Sequence, residues 1–368
     1  MAHAQKLHTF CSIAWHGKPI WNRDIDKSAD VEIIRVLSTR TGTSRERVRT
    51  TTLAAYEGIL YEKHNRFGPT PWVMPVGVFH RTRKQYGLQY CPHCLSEDGE
   101  PYYRRRWRLA FVVLCNEHNR LLRDRCPTCQ APINFHRNEL GNHKKRVTVS
   151  LVHCYACDFD LRQAPVTDKD STPISPTEVK FTATLLKAIS DGYVIVNNGV
   201  TVYSHLYFTG LRQLMKIMAM KDARVNSLRQ ELSNTYGVEL FIPRKEKRLP
   251  DIQEQSLNER RQLIQLVNCL LTDWPSRFIM HSRKHKLWSS VWLRHIESGP
   301  WERSRLAPFW FWSVVHDYLY RAPYSPSEQE IELAIEHLKR NGDTVNKSTL
   351  AQLLGISVFR NKLTMEAK

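Results

Sequence analysis

Apolar residues recur at helical spacing in two segments of the chain, and each segment runs into a tight-turn signal. Along residues 30–39, Val31, Ile34 and Leu37 follow one another at that spacing. Gly42 then breaks the pattern, and Thr43 with Glu46 forms a capping box for a second helix that turns Val48 and Ala55 inward. Along residues 327–339, Ile331, Ala334, Ile335 and Leu338 mark an amphipathic helix. A second helix over 347–354, a turn at Gly355 and a short third helix capped by Ser357 complete that unit. Both patterns predict helix-turn-helix units, and the glycine bend followed by a capping serine matches the order found in DNA-reading modules. A plain helical hairpin has the same spacing, and protein docking is the rival use of the N-terminal unit.

From about residue 175 onward, Leu, Ile, Arg and Glu recur at helical spacing with two breaks, residues 243–255 and 322–327. Residues 168–176, rich in Asp, Ser and Pro, read as a linker. The longest apolar runs, 110–115 and 308–312, fall far short of the roughly 20 residues that span a bilayer. The first residues lack the apolar core of a secretory signal, so the expected location is the cytoplasm. Lys and Arg total 54 against 36 Asp and Glu, a net charge of +18. Such a surplus points to an acidic partner, most often nucleic acid, although a merely soluble basic protein has the same balance.

Seven of the nine cysteines fall in residues 86–165. In a reducing compartment they are expected to bind metal rather than form disulfides. Cys91 and Cys94 form one pair with a two-residue gap, and Cys115 and His118 another. Cys126 with Cys129 and Cys154 with Cys157 repeat the arrangement. Each set of four offers the soft donors and tight spacing that a tetrahedral zinc site needs, which predicts two zinc ions per chain. His93, His136, His143 and His153 lie close enough in sequence to replace an assigned ligand. Four protein ligands per ion leave no position for water or substrate, so the ions are read as structural. Cys11 and Cys269 lack a partner at metal spacing and are read as small buried residues.

The predicted fold is mainly α with small zinc-ribbon β elements. It comprises a helix-turn-helix-like segment over 1–85, a double zinc-binding module over 86–165, a helical domain over 175–321 and a helix-turn-helix over 322–368. Phosphate-loop, dinucleotide-binding, nucleophile-elbow and metalloprotease motifs are missing from the sequence, as is the His-x-Glu of zinc deaminases. No enzyme is therefore expected, although a carboxylate triad drawn from distant positions stays open.

Candidate DNA contacts are Arg45 and Arg49 on the second N-terminal helix, and Arg104, Arg105 and Arg106 beside Tyr102, Tyr103 and Trp107. In the competing reading of this run, Trp107 and Leu109 pack the ribbon and the Arg stems cover it; Trp107 itself is assigned to the core. Lys144, Lys145 and Arg146 form a further basic run that suits backbone phosphates or plain solvation. Ser357, Arg360, Asn361 and Lys362 sit where a recognition helix meets base edges.

The run from Cys91-Pro-His-Cys94 through Pro101-Tyr102, Trp107-Arg108-Leu109, Cys115-x-x-His118 and Leu122 to Cys126-Pro-x-Cys129 resembles the TniQ family, which includes the larger TnsD target selectors of bacterial transposons. Residues 21–26 and the element from Leu271 through Trp274-Pro275 to Phe278 fit the same family. The likeness is strong over roughly residues 10–165 and loose beyond. It implies a non-enzymatic adaptor of a bacterial transposon that selects a target and recruits an AAA+ ATPase regulator and a transposase. Two modes are implied: direct binding to a site on double-stranded DNA, or docking on a CRISPR RNA-guided effector complex, with a homodimer as a possible state. The chain departs from short family members in its helical C-terminal region and is smaller than many site-specific selectors. Its charge and its C-terminal unit favour direct DNA reading.

Overall fold

The computed structural model describes residues 24–79, 82–83, 85–134, 151–165, 174–196, 199–244, 251–293, 307–321 and 326–355. They divide between two compact units, residues 1–319 and 320–368.

The first unit opens with α1 (Ile25–Ser28), α2 (Val31–Thr41) and α3 (Arg45–Arg49). Asp30 starts α2 by accepting from the Ile33 amide at 2.8 Å, and Gly42 ends it at φ 66°, a conformation glycine adopts without steric cost. The inward face is Ile33 and Val36, with Ile25, Ala29 and Leu37 against them. This corrects the expected stripe, because Val31 in the first turn is 77% exposed. The cap of α3 is also one residue later than expected: the hydroxyl of Ser44, not Thr43, accepts from the Arg47 amide at 3.2 Å. Val48 is buried as anticipated, whereas Ala55 lies on a separate 3-10 turn, Leu53–Tyr56.

A minimal hairpin follows, β1 (Val78–Phe79) with β2 (Thr82–Arg83). Regular structure is then sparse up to Pro165: α4 (Pro92–Glu97), the antiparallel pair β3 (Leu114–Cys115) and β4 (Arg120–Leu121), and two 3-10 turns. The remainder of the unit is helical. Ser175 caps α5 (Pro176–Asp191) by accepting from the Glu178 amide, so Pro176 belongs to a first helical turn and not to a linker. Between α5 and α6 (Ser204–Met218) stands an unanticipated hairpin, β5 (Tyr193–Ile195) paired with β6 (Thr201–Tyr203). Then come α7 (Ala223–Tyr236), α8 (Leu257–Leu271), α9 (Ser276–Lys284), α10 (Ser289–Trp292) and α11 (Phe309–Leu319).

One hydrophobic cluster runs through this unit from Leu53 to Leu319. Trp72, Phe111 and Phe208 form an edge-to-face group inside it, joining the cysteine-rich part to α6. Trp274, Phe278, Trp292, Trp310 and Phe311 make a second aromatic group among α8, α9, α10 and α11. Cys269 is buried.

The smaller unit holds α12 (Glu328–Arg340) and α13 (Lys347–Leu353). Ser327 and Glu330 cap α12 reciprocally, and Ala334, Leu338 and Leu350 form its core with Ile331, Ile335, Val345 and Leu354. Gly355 follows α13 at φ 65°. The expected third helix, with Ser357, lies outside the described residues. No helix among the described residues is long and apolar enough to cross a membrane.

Buried charge ties distant segments together. Arg261 on α8 and Glu178 on α5 pair at 2.7 Å with side chains only 3% and 2% exposed, and Gln265 donates to the same carboxylate at 2.9 Å. Replacing Arg261 alone by Met strands the Glu178 charge, and the expected loss is roughly 3–5 kcal/mol in chemical denaturation. The double variant Arg261→Met/Glu178→Leu should recover most of it. Equal loss in both variants would show that the arginine acts through packing and not through charge.

Candidate metal centres and nucleic-acid contacts

Three of the four ligand pairs sit on one kind of turn. The residue after the second ligand adopts a positive φ in each: Asn119 at 47°, Gln130 at 59° and Asp158 at 67°. That twist folds the chain back over the pair. The Gln130 amide donates to the Cys126 carbonyl at 3.0 Å and the Asp158 amide to the Cys154 carbonyl at 2.9 Å. The first ligand then pairs with the residue five positions on: Cys115 with Arg120 across β3 and β4, Cys126 with Ala131, and Cys154 with Phe159. Cys91 and Cys94 differ. Cys91 caps α4, Pro92 opens it, and one helical turn carries Cys94 round to the same side.

These turns bring together the eight assigned donors. Within each set the donor atoms all lie within 4.8 Å of one another. In the first set Cys94 and Cys115 sulfurs are 3.5 Å apart, and His118 Nδ1 lies 3.6, 3.3 and 3.5 Å from the sulfurs of Cys91, Cys94 and Cys115. In the second, Cys126–Cys157 and Cys129–Cys154 sulfurs are each 3.6 Å apart. A tetrahedral ion with metal–sulfur bonds of about 2.3 Å sets its sulfurs roughly 3.8 Å apart, close to this spacing. The other ring nitrogen of His118 meets Glu97 Oε2 at 2.9 Å, the outer contact that fixes a ligand imidazole.

The electrostatics of the first set also fit a cation. Cys91 is pushed far up by its sulfur contact with Cys115 and by burial, and Cys94 by burial and its contact with Glu117. Cys115 is driven down to about 4, chiefly by the same Cys91 contact. Three thiols therefore compete for negative charge at one point, a conflict that a divalent ion removes. In the second set burial raises Cys154, whereas Cys157 is lowered against burial by the Phe159 amide and Cys129. The two sets differ in exposure: Cys91, Cys94 and Cys115 are buried, but Cys129 and Cys157 are exposed. Each set can hold one metal ion. His93 lies tilted against His118, ring centroids 5.3 Å apart, beside the Arg120 guanidinium, and neither His93 nor His153 is among the donors that converge. His136 and His143 lie outside the described residues, as does Cys11.

The arginine run beside the first set is occupied within the fold. Arg104 donates to both oxygens of Asp98 at 3.0 Å, lies 3.3 Å from Glu117, and stacks against Tyr102 and Trp107. Arg105 donates to the Thr50 carbonyl and lies 4.3 Å over the Tyr56 ring. Arg106 pairs with Glu117, and Trp107 is fully buried. Arg45 and Arg49 are exposed on α3, with Arg49 3.5 Å from Glu57. Lys144, Lys145, Arg146, Ser357, Arg360, Asn361 and Lys362 lie outside the described residues.

Arg108, the fourth arginine of the same run and also a candidate phosphate contact from the sequence, is buried instead, a role that sequence reasoning missed. Its side chain is 3% exposed, and it meets Asp24 at 2.6 Å, Asp26 at 3.4 Å and the Met74 carbonyl at 2.9 Å. A cation flanked by Trp107 and Leu109, with two aspartates one residue apart near the start of the chain, was the available signal. Arg260 was missed as well. It donates to the Ala110 carbonyl at 2.8 Å and to Gln89 Oε1 at 3.0 Å, and burial pulls it down to about 10.

Comparison with known families matches the TniQ family model to residues 1–122. Neither curated proteins nor solved structures gave a match. The matched segment contains the complete first donor set and the Asp24–Arg108 pair, and the second donor set lies beyond it. Over residues 1–122, then, the chain is similar to the TniQ family.

Proposed function

We propose that the protein is a DNA-binding target selector of a bacterial transposon that brings an AAA+ ATPase regulator and a transposase to the chosen site. The carrying observation is the TniQ match over residues 1–122, a segment held by one full set of metal donors. A net charge of +18 supports an electrostatic hold on double-stranded DNA. In this reading each donor set holds one zinc ion. When bound, zinc supplies a cross-link between turns and neutralises the thiolates. Four protein ligands complete each tetrahedron, so the role is structural and the protein is not an enzyme.

A second reading is an adaptor that docks on a CRISPR RNA-guided complex and leaves sequence reading to the guide. The internal pairing of Arg104 and Arg106 favours it, since those charges already serve the fold.

Two measurements test these proposals. Elemental analysis of protein purified without chelator should give two zinc per chain. A strong chelator should then abolish the near-ultraviolet signal of buried Trp72 and Trp107. A near-ultraviolet spectrum that persists in metal-free protein would refute the structural role. Selection from a random DNA pool by the isolated protein should enrich one motif, and Arg360→Ala should weaken binding to it by roughly 1–3 kcal/mol. Recovery of unenriched DNA, bound only at low salt, would favour the guide-dependent adaptor.

A further inference from the structure

The run Arg283-Lys284-His285-Lys286 ends α9 and meets the start of α7, where Arg224 stands. We propose that this junction is a phosphate-contact surface for double-stranded DNA, built by Arg224, Arg283, Lys284 and Lys286. The proposal rests on the DNA-binding reading above and gives it a location in the helical part of the larger unit.

All four side chains belong to exposed residues. Two are fixed on main-chain carbonyls. Arg224 donates to the Lys286 carbonyl at 3.5 Å, and Arg283 to the Tyr318 carbonyl at 3.2 Å. A carbonyl orients a guanidinium without cancelling its charge, so at Arg283 an arriving phosphate meets a cation that has little freedom left to lose. The acids at this junction are engaged. Asp222 takes Arg224 at 2.9 Å; Glu231 is shared by Lys284 at 2.9 Å, His285 at 2.6 Å and His281 at 3.0 Å. Asp317, beside Tyr318, meets His316 at 3.1 Å.

Helix stability explains only part of this arrangement. Cations in the last turn of α9 interact favourably with its dipole, which accounts for Arg283 and Lys284. Arg224 occupies the first turn of α7, where the same field opposes a positive charge, and its pairing with Asp222 at the helix cap offsets that cost. Lys286 stands beyond the helix at φ 55°, a backbone conformation with no stabilising merit of its own for lysine. Arg104 and Arg106 are held by carboxylates beside a donor set; here Arg224 and Lys284 also have acidic partners, and the outward charge rests on Arg283 and Lys286.

The test is fluorescence anisotropy of the full chain with a random-sequence DNA duplex across a salt series. Arg283→Gln/Lys284→Gln/Lys286→Gln should weaken binding about tenfold or more near 0.1 M salt. The slope of log affinity against log salt should shrink by about 2–3, and by about 1 for Lys286→Gln alone. Lys180→Gln/Lys187→Gln on α5 provides a control for loss of overall charge and should leave the slope nearly unchanged. Zinc content and thermal melting check the fold of each variant, and the single Lys286→Gln change keeps the test decisive if the triple variant misfolds. Unaltered binding by Lys286→Gln and the triple variant, or equal loss in the α5 control, would overturn the surface while leaving DNA binding intact. A wild-type chain that binds no duplex even at low salt would overturn the DNA-binding reading itself.

Discussion

Closely packed thiols cannot all carry charge, and that constraint governs the front half of this protein. Between Gln85 and Pro165 the described chain contains one six-residue helix, two-residue strands and short 3-10 turns. Such elements supply few cooperative hydrogen bonds and cannot hold Trp107, Phe111 and Val113 in a dry core by themselves. Two convergent sets of metal donors, together with the interior shared with the helices, are the further sources of order. Structural zinc binding is worth about 10–16 kcal/mol in small domains, comparable to the whole stability of an ordinary one. A metal held by these donors would therefore dominate the stability of this segment and of its aromatic contacts to α6.

A core lined by irregular chain raises a second demand. Strands would satisfy the carbonyls of residues 107–112 by pairing with neighbours, but few strands are present there. Side chains take over. Gln89 donates to the carbonyls of Trp107 and Val112, Arg260 to that of Ala110, and Arg108 to that of Met74. Buried arginines suit this task because a planar guanidinium can serve several acceptors at once. Their cost is desolvation, visible in the lowering of Arg260, whose hydrogen bonds go to the Ala110 carbonyl and Gln89. The same residues join the cysteine-bearing turns to α8, so the cysteine-rich and helical parts share one interior.

Legibility in the sequence followed the range of each interaction. The donor sets were readable because each pair is a local turn with a two-residue gap, and the structure gathers the eight side chains in two groups. The capped, amphipathic α12 was readable for the same reason: Ser327 and Glu330 are three residues apart, and its apolar stripe is periodic. Near-degenerate local choices were harder. Thr43 and Ser44 both suit a helix start, and the chain uses Ser44, with Val48 buried on the helix that follows. The β5–β6 hairpin interrupts a stretch whose composition is helical on average; its three-residue strands are too short to register as a separate pattern. Arg108 and Arg260 were illegible because their partners lie 84 and 150 residues away.

The density of basic residues in a sequence is a poor guide to where a protein presents positive charge. Arg104, Arg105 and Arg106 form the most conspicuous cluster in the cysteine-rich part, yet Asp98, Glu117 and the Thr50 carbonyl engage all three. The reason lies in the adjacent metal site. Glu97 orients His118, Glu117 sits against Cys94, and carboxylates placed around a ligand shell need cations of their own. Arginines close to such a shell are drawn into it, and their guanidinium planes then cover aromatic side chains instead of facing solvent. At the α7–α9 junction Asp222 and Glu231 likewise take Arg224 and Lys284, which leaves Arg283 and Lys286 with their charge outward. The fold thus consumes cations wherever a carboxylate stands beside them, and a high count of Lys and Arg overstates the charge left to face solvent.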